Sequence, residues 1–311
     1  MNNIVSTDKN KLSIYQNIQE ETVWFENFIS ENSKETYRYA ITQFIKFLGI
    51  KRKEELRNIK NIHVIRFRDS LLENGLSPST VNNRLSAISS LFKHLIEQQI
   101  VKINPVIGVK RSRMNYDVVK SRRLKKQDVS DLFGLINKDT LKGIRDSAIM
   151  HILFYTGCRI SEIAKLKVKD YYEDDGYKIL DFIVKGGKQN SVALNTEAHR
   201  VIDCYLEQAE HGEDYDAPLF QNVSRNPNHE KKAALTRMAL TKVWRSYVKI
   251  LGFDRCWPHS ARATFITQAL ESGTDIADVQ ATVAHTSIRT TKMYDQRLKL
   301  HKNSASFGVR Y

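Results

Sequence analysis

Apolar positions recur at helical spacing through most of this chain. In its first third, Trp24, Phe25, Phe28 and Ile29, and then Tyr37, Ile41, Phe44, Ile45 and Leu48, predict helix over 19–48. Ser33 is placed to cap the second run, with Thr36 one turn inside. Further helices are expected at 62–74, stopping near Gly75, and at 78–98, where Pro78 suits a first turn. Val81, Leu85, Ile88, Leu91, Phe92 and Leu95 make the buried stripe of the latter. Asn104-Pro105 ends the helical region. Residues 109–121 lose the period and carry four basic side chains, so they read as an extended linker able to lie along phosphates or simply in solvent.

A second region opens at Arg122, with helices expected around 126–136 and 140–156. Residues 178–184 and 189–194 read instead as two strands, joined by Lys185-Gly186-Gly187-Lys188, a hairpin turn whose glycines permit positive φ. Helices return over 195–209, 235–250, 259–272, 275–283 and 287–296. The expected organisation is therefore a helical domain at 1–108, a basic linker at 109–121, and a mostly helical domain with a small antiparallel sheet at 122–311.

Charge narrows the partners. The formal net charge is +14 over 311 residues. Nineteen basic against twelve acidic residues through Ser121 give +7 there and leave +7 beyond, so both regions are basic. That balance suits a polyanion, nucleic acid above all, although many proteins are basic without one. No run of about 18 apolar residues appears to make a membrane span, and the first residues lack the layout of a signal peptide, so a cytoplasmic location is expected. Cys158, Cys204 and Cys256 are odd in number and far apart, and imply no disulfide framework. No His-x₃-His, Cys-x₂-Cys or Asp-rich cluster calls for a metal, and no cofactor is expected.

Five segments carry the chemistry: Tyr155-Thr156-Gly157-Cys158-Arg159-Ile160-Ser161-Glu162, Val184-Lys185-Gly186-Gly187-Lys188, His259-Ser260-Ala261-Arg262, Ala284-His285, and Thr290-Thr291-Lys292-Met293-Tyr294. Each has a structural reading on its own. Arg159 could simply pair with Glu162, the hairpin lysines could be solvated, and His285 or Tyr294 could be packing residues. In this order and at these spacings, the series Arg…Lys…His-x-x-Arg…His…Tyr resembles the tyrosine recombinase (phage integrase) family of DNA strand-exchange enzymes.

The resemblance implies a two-domain, mainly helical, C-shaped DNA clamp that acts as a site-specific recombinase. Arg159 and Arg262 would clamp the scissile phosphate, because guanidinium stays ionised and forks onto two oxygens. His285 would donate a further hydrogen bond, His259 would assist proton movement at the tyrosine, and Glu162 would orient Arg159. Lys185 would protonate the leaving 5′ oxygen, with Lys188 as the rival for that role. Tyr294 would attack and become a 3′-phosphotyrosine, passing strands through a Holliday junction without metal or ATP. Ser33, Thr36 and Tyr39, with Thr80-Val81-Asn82-Asn83-Arg84, are similar to the core-binding domain of Xer-like members. Thr80, Asn83 and Arg84 are thus candidate DNA contacts, as are Lys110, Arg111, Arg113 and Lys188.

The partners implied are double-stranded DNA recombination sites and a homotetramer spanning two of them, with accessory proteins left open. A simple Xer-like or mobile-element enzyme fits better than a lambda-type one with an added arm-binding domain. Two departures stand out: Ala263 follows Arg262 where many members carry a histidine, and Ala284 precedes His285 where glycine is common. Neither removes a charge. A type IB topoisomerase or a catalytically silent DNA-binding regulator remains as the alternative.

Overall fold

The computed structural model describes residues 20–113, 122–184, 186–223 and 232–295. The chain divides into two compact units, Met1–Asn115 and Tyr116–Tyr311.

The first unit is helical, with α1 Glu20–Glu26, α2 Glu31–Leu48, α3 Asn61–Glu73 and α4 Pro78–Glu97, and a 3₁₀ segment Lys53–Asn58 before α3. Its core joins Ile41 and Phe44 of α2, Phe67 of α3, and Leu85, Ile88, Leu91 and Leu95 of α4. Phe44 and Phe67 meet edge to face at 5.1 Å, a favoured aromatic geometry. Trp24 anchors α1 by donating from its indole to Ser90 Oγ at 3.2 Å. Two expectations about the start of this unit are corrected. Helix α1 stops at Glu26, so Ile29 lies in the connection and is fully exposed rather than on the buried stripe. Helix α2 starts at Glu31 behind Ser30, whose backbone is extended, so Ser33 sits inside the first turn and does not cap. Thr36 donates to Asn32 O within that helix.

Ser77 does cap α4, accepting from Thr80 N, and Pro78 follows in the first turn, where its missing N–H is no loss. The first residues of the basic stretch expected to be an extended linker bond to the first unit. Asn82 Nδ2 donates to Ser112 O at 2.9 Å, and Ser112 N returns to Asn82 Oδ1 at 3.0 Å. Arg111 spends its guanidinium on Asn82 O and Ser86 Oγ, and Lys110 O accepts from Arg68. These residues therefore extend the first unit as far as Arg113; residues 114–121 lie outside those described.

In the second unit, α5 Lys126–Gly134 and α6 Leu141–Thr156 precede a short α7 Ile160–Ile163. Three strands follow, β1 Tyr171–Asp174, β2 Tyr177–Ile183 and β3 Gln189–Ala193, in the order β1-β2-β3 and antiparallel throughout. Then come α8 Thr196–Ala209, α9 Arg237–Ile250, α10 His259–Glu271, α11 Ile276–Thr282 and α12 Ile288–Lys292. Strand β1 was not expected, because Tyr171–Asp174 has one face in solvent and little apolar alternation. Its signal was the turn: Asp175 and Gly176 both hold positive φ, the pair that a tight hairpin favours. The expected hairpin between β2 and β3 is present, with Ile183 facing Gln189 and Gly186 and Gly187 at positive φ.

Helix α6 is buried nearly all round, and its Ile149, Ile152 and Leu153 pack with Leu180 and Phe182 of the sheet, Tyr205 of α8 and Trp244 of α9. A second, smaller cluster joins Ile266 and Leu270 of α10, Val279 of α11, Val283 and Tyr294. Helix α12 ends at Lys292, short of the expected 296, so Tyr294 sits in the turn behind it. No helix among the described residues is long and apolar enough to cross a membrane.

Candidate active site

Four loops and helix ends converge around Tyr294. The first is the end of α6. Gly157 closes that helix in the left-handed region, φ 62°, and its N–H returns to Leu153 O. Only glycine fits well here, since an added Cβ would stand 2.6 Å from Phe265 Cδ1. Gly157→Ala is accordingly expected to destabilise the protein by about 2 kcal/mol or more, from left-handed strain plus overpacking. An unchanged urea midpoint would contradict this.

The tight turn delivers Arg159 to the start of α7. Glu162, buried, accepts from Arg159 N at 2.7 Å through Oε2 and from Arg159 Nη1 at 2.8 Å through Oε1. One carboxylate thus caps the short helix and orients the guanidinium, while about a third of the Arg159 side chain stays exposed. The ion pair that the sequence allows exists, and it leaves the rest of the fork available.

Helix α10 brings His259 and Arg262 on one face, three residues apart. Arg262 is 1% exposed. Its Nη1 donates to Gly157 O at 2.8 Å and its Nη2 to Val283 O at 2.6 Å, while Nε has no partner among the described residues. Burial, reinforced by the Arg159 charge, lowers its pKa to about 10, which still leaves it a cation at neutral pH. The guanidinium is therefore held by carbonyls of two separate segments and keeps unused donor capacity, the condition for binding an oxyanion.

His259 is exposed overall, at the first residue of α10, but its Nε2 lies 2.6 Å from Tyr294 Oη. Partial enclosure, then the Arg262 and Arg159 charges, hold its pKa below the usual 6.5. The partial positive charge of the helix N-terminus acts in the same direction. A neutral imidazole can accept the phenol proton. Tyr294 is 7% exposed, and burial raises its pKa, opposed by the two guanidiniums. The resting side chain is thus a protonated phenol already hydrogen-bonded to a base.

His285 follows Ala284, which holds φ 49°, the conformation that makes glycine common at this place. The His285 backbone is gripped twice by Gln280: its N–H donates to Gln280 O at 3.0 Å, and its O accepts from Gln280 Nε2 at 2.9 Å. Its ring stacks on Tyr294 at 5.8 Å and meets Thr291 Oγ1 through Nδ1 at 2.9 Å. Burial first, then Arg262, Arg159 and His259, lowers its pKa to about 3, so the ring is neutral near pH 7.

Arg159, His259, Arg262, His285 and Tyr294 are therefore brought together in one mutually polarised cluster, with Glu162 behind Arg159. Lys185 lies outside the described residues. Lys188 is exposed at the hairpin, with its carbonyl bonded to Val184 N at 2.8 Å. Gln280, Thr291 and the carbonyls of Gly157 and Val283 were not singled out from sequence, because their part is set by tertiary contact. In the first unit, Asn83, Lys110, Arg111 and Arg113 are exposed, Thr80 bonds Ser77 Oγ at 2.9 Å, and Arg84 lies over the Tyr39 ring at 5.4 Å. No group of three or more metal-ligating side chains occurs among the described residues.

Comparison with known proteins bears on this geometry. A tyrosine recombinase XerD of Listeria monocytogenes serovar 1/2a is 27% identical over 277 residues, covering 88% of this chain and 91% of the relative. Among solved structures, the XerH site-specific recombinase bound to palindromic difH substrate in a post-cleavage complex superposes with a TM-score of 0.66 at 21% identity, covering 89% of this chain and 80% of that one. A lambda integrase tetramer bound to a Holliday junction gives a TM-score of 0.66 at 15% identity, covering 89% and 75%. These structural likenesses are likenesses of fold. The model for the phage integrase N-terminal SAM-like domain matches residues 20–99. With the phage integrase family model matching residues 122–301 around the Arg159–Tyr294 cluster, the chain belongs to the phage integrase family of tyrosine recombinases.

Proposed function

We propose that this chain is an Xer-type site-specific recombinase in which Tyr294 is the nucleophile, and that the 2.6 Å bond from His259 Nε2 to Tyr294 Oη carries the assignment. A phenol with a free pKa near 10 is a poor nucleophile at neutral pH. Here a neutral imidazole stands ready for its proton, and two guanidiniums stand ready for the charge that passes to phosphate. Tyr294 Oη forms the new O–P bond as His259 accepts the proton; the bond to the 5′ oxygen breaks, and that oxygen takes a proton from a lysine of the hairpin. Arg159 and Arg262 neutralise the equatorial oxygens of the transition state, with His285 as a further donor. Preorganised donors of this kind are worth about 3–4 kcal/mol each. The 3′-phosphotyrosine keeps the phosphodiester energy, so a 5′ hydroxyl from a second duplex reseals it.

The acting assembly in this reading is a homotetramer on two double-stranded sites, exchanging strands through a Holliday junction, in the cytoplasm and on a chromosomal or mobile-element site. Thr80, Asn83, Arg84, Lys110, Arg113 and Lys188 are the proposed phosphate or groove contacts. Arg111 is a weaker member of that set, since its guanidinium is already engaged within its own unit. A topoisomerase reading is less well supported, because the N-terminal match is to the integrase type of domain.

The test is a nicked suicide substrate whose scissile bond carries a 5′-bridging phosphorothiolate. Wild type should become linked to the 3′ end, and a 5′ linkage would overturn the mechanism. Because the thiolate leaves without a proton, this substrate should restore cleavage to Lys185→Ala and leave Arg159→Ala slow. Rescue of Lys188→Ala in place of Lys185→Ala would make Lys188 the acid.

A further inference from the structure

Thr291 sits in α12, three residues before Tyr294, and is fully buried. Six other helical threonines turn their hydroxyl back on the backbone. Thr36, Thr156, Thr241, Thr264, Thr267 and Thr282 each donate to the carbonyl four residues earlier. Thr291 does not. Its Oγ1 lies 2.9 Å from His285 Nδ1, and it has no other side-chain partner among the described residues. The hydroxyl hydrogen is therefore free to point at the imidazole.

This choice decides what His285 can do. A neutral imidazole has one N–H and one lone pair. If the Thr291 hydroxyl donates to Nδ1, the ring proton must reside on Nε2, which then faces a phosphate oxygen as a donor. If the ring were protonated on Nδ1 instead, Nε2 would present a lone pair to that oxygen and repel it. The low proton affinity of the buried ring beside Arg262 and Arg159 makes the tautomer matter, since a doubly protonated imidazolium is not available as a fallback. The Gln280 bonds to the His285 backbone hold the residue in place but touch neither ring nitrogen.

We infer that Thr291 is a positioning residue that locks His285 in the Nε2–H tautomer and so makes it a hydrogen-bond donor to the scissile phosphate, tying that donor to the helix that leads into the Tyr294 turn. The inference rests on the reading of His285 as a phosphate ligand. Groups that orient a metal-binding imidazole are worth about 10- to 100-fold in activity, the scale taken for Thr291.

The experiment uses the full chain and single-turnover cleavage of a suicide substrate, with DNA affinity measured separately. Thr291→Val, which keeps the shape and removes the hydroxyl, should slow cleavage by about 10- to 100-fold with affinity unchanged. Thr291→Ser should recover most of the rate. In a His285→Ala background, Thr291→Val should cost nothing further, because residues acting as one unit are not additive. Nitrogen NMR of wild type should find His285 protonated on Nε2 and bare on Nδ1, and the Thr291→Val protein should lose that preference. A proton on Nδ1 in wild type, a slow Thr291→Ser, or additive losses in the double variant would overturn the Thr291 assignment alone. Full-rate cleavage by His285→Ala would instead overturn the phosphate role of His285, and with it this inference.

Discussion

Tyr294→Phe is expected to bind DNA as wild type does and to form no covalent complex at all. The substitution removes only the hydroxyl, and the ring's packing with Ile266, Leu270, Val279 and Val283 is unaffected. The cost to the fold is small, because the phenol's one side-chain partner among the described residues is His259 Nε2, on a residue open to water. The chemical cost is total, since among the described residues no other hydroxyl bonds His259. Incubation with a nicked substrate, followed by a denaturing gel, should show a slow band for wild type and none for the variant. An equal band from Tyr294→Phe would remove Tyr294 as the nucleophile.

Loss of either guanidinium should reduce single-turnover cleavage by about 10²- to 10³-fold, the scale of one preorganised donor set. The two variants should differ in stability. Arg262→Ala strips Gly157 O and Val283 O of their donor in a buried place, and unsatisfied buried groups cost about 1–3 kcal/mol each. Arg159→Ala leaves Glu162 with its bond to the residue-159 backbone N–H but without its cation. That should destabilise less, because Arg159 is partly open to water. Lysine at either place should fall short of the native rate, as a point charge cannot reproduce the fork. Cleavage at near the native rate by either alanine variant would refute the phosphate clamp, and a fully active Arg159→Lys would show that charge alone suffices.

The helical periods of α3, α4, α6 and α8 were legible because each buries one continuous stripe or is apolar enough to be wholly buried. The start of α2 was not. The helix begins behind Ser30, whose side chain makes no capping bond, so no capping chemistry marks the start, and Tyr37 packs on Trp24 and Phe28 across the connection. Strand β1 was missed for the opposite reason: it is an edge strand with three exposed residues, held by backbone pairing to β2, and pairing leaves little trace in side-chain pattern. That the first residues of the linker expected at 109–121 bond to Asn82 and Arg68 was not legible, because it is a contact between distant positions.

The candidate site divides along the same line. Its members were legible from sequence because their chemistry is rare and their order specific: an arginine behind a Thr-Gly turn, His-x-x-Arg on one helix face, and a tyrosine nine residues beyond His285. Those features depend on covalent spacing and side-chain type, which a chain carries before it folds. What tertiary structure alone decided is how the members face one another. Gly157 and Val283 aim Arg262 through their carbonyls, enclosure and neighbouring cations keep both histidines neutral, and Thr291 reaches His285 in place of its own helix. Directions, solvent exclusion and hydrogen-bond choices arise only when segments more than 100 residues apart in sequence, such as Gly157 and Arg262, are packed within bonding distance.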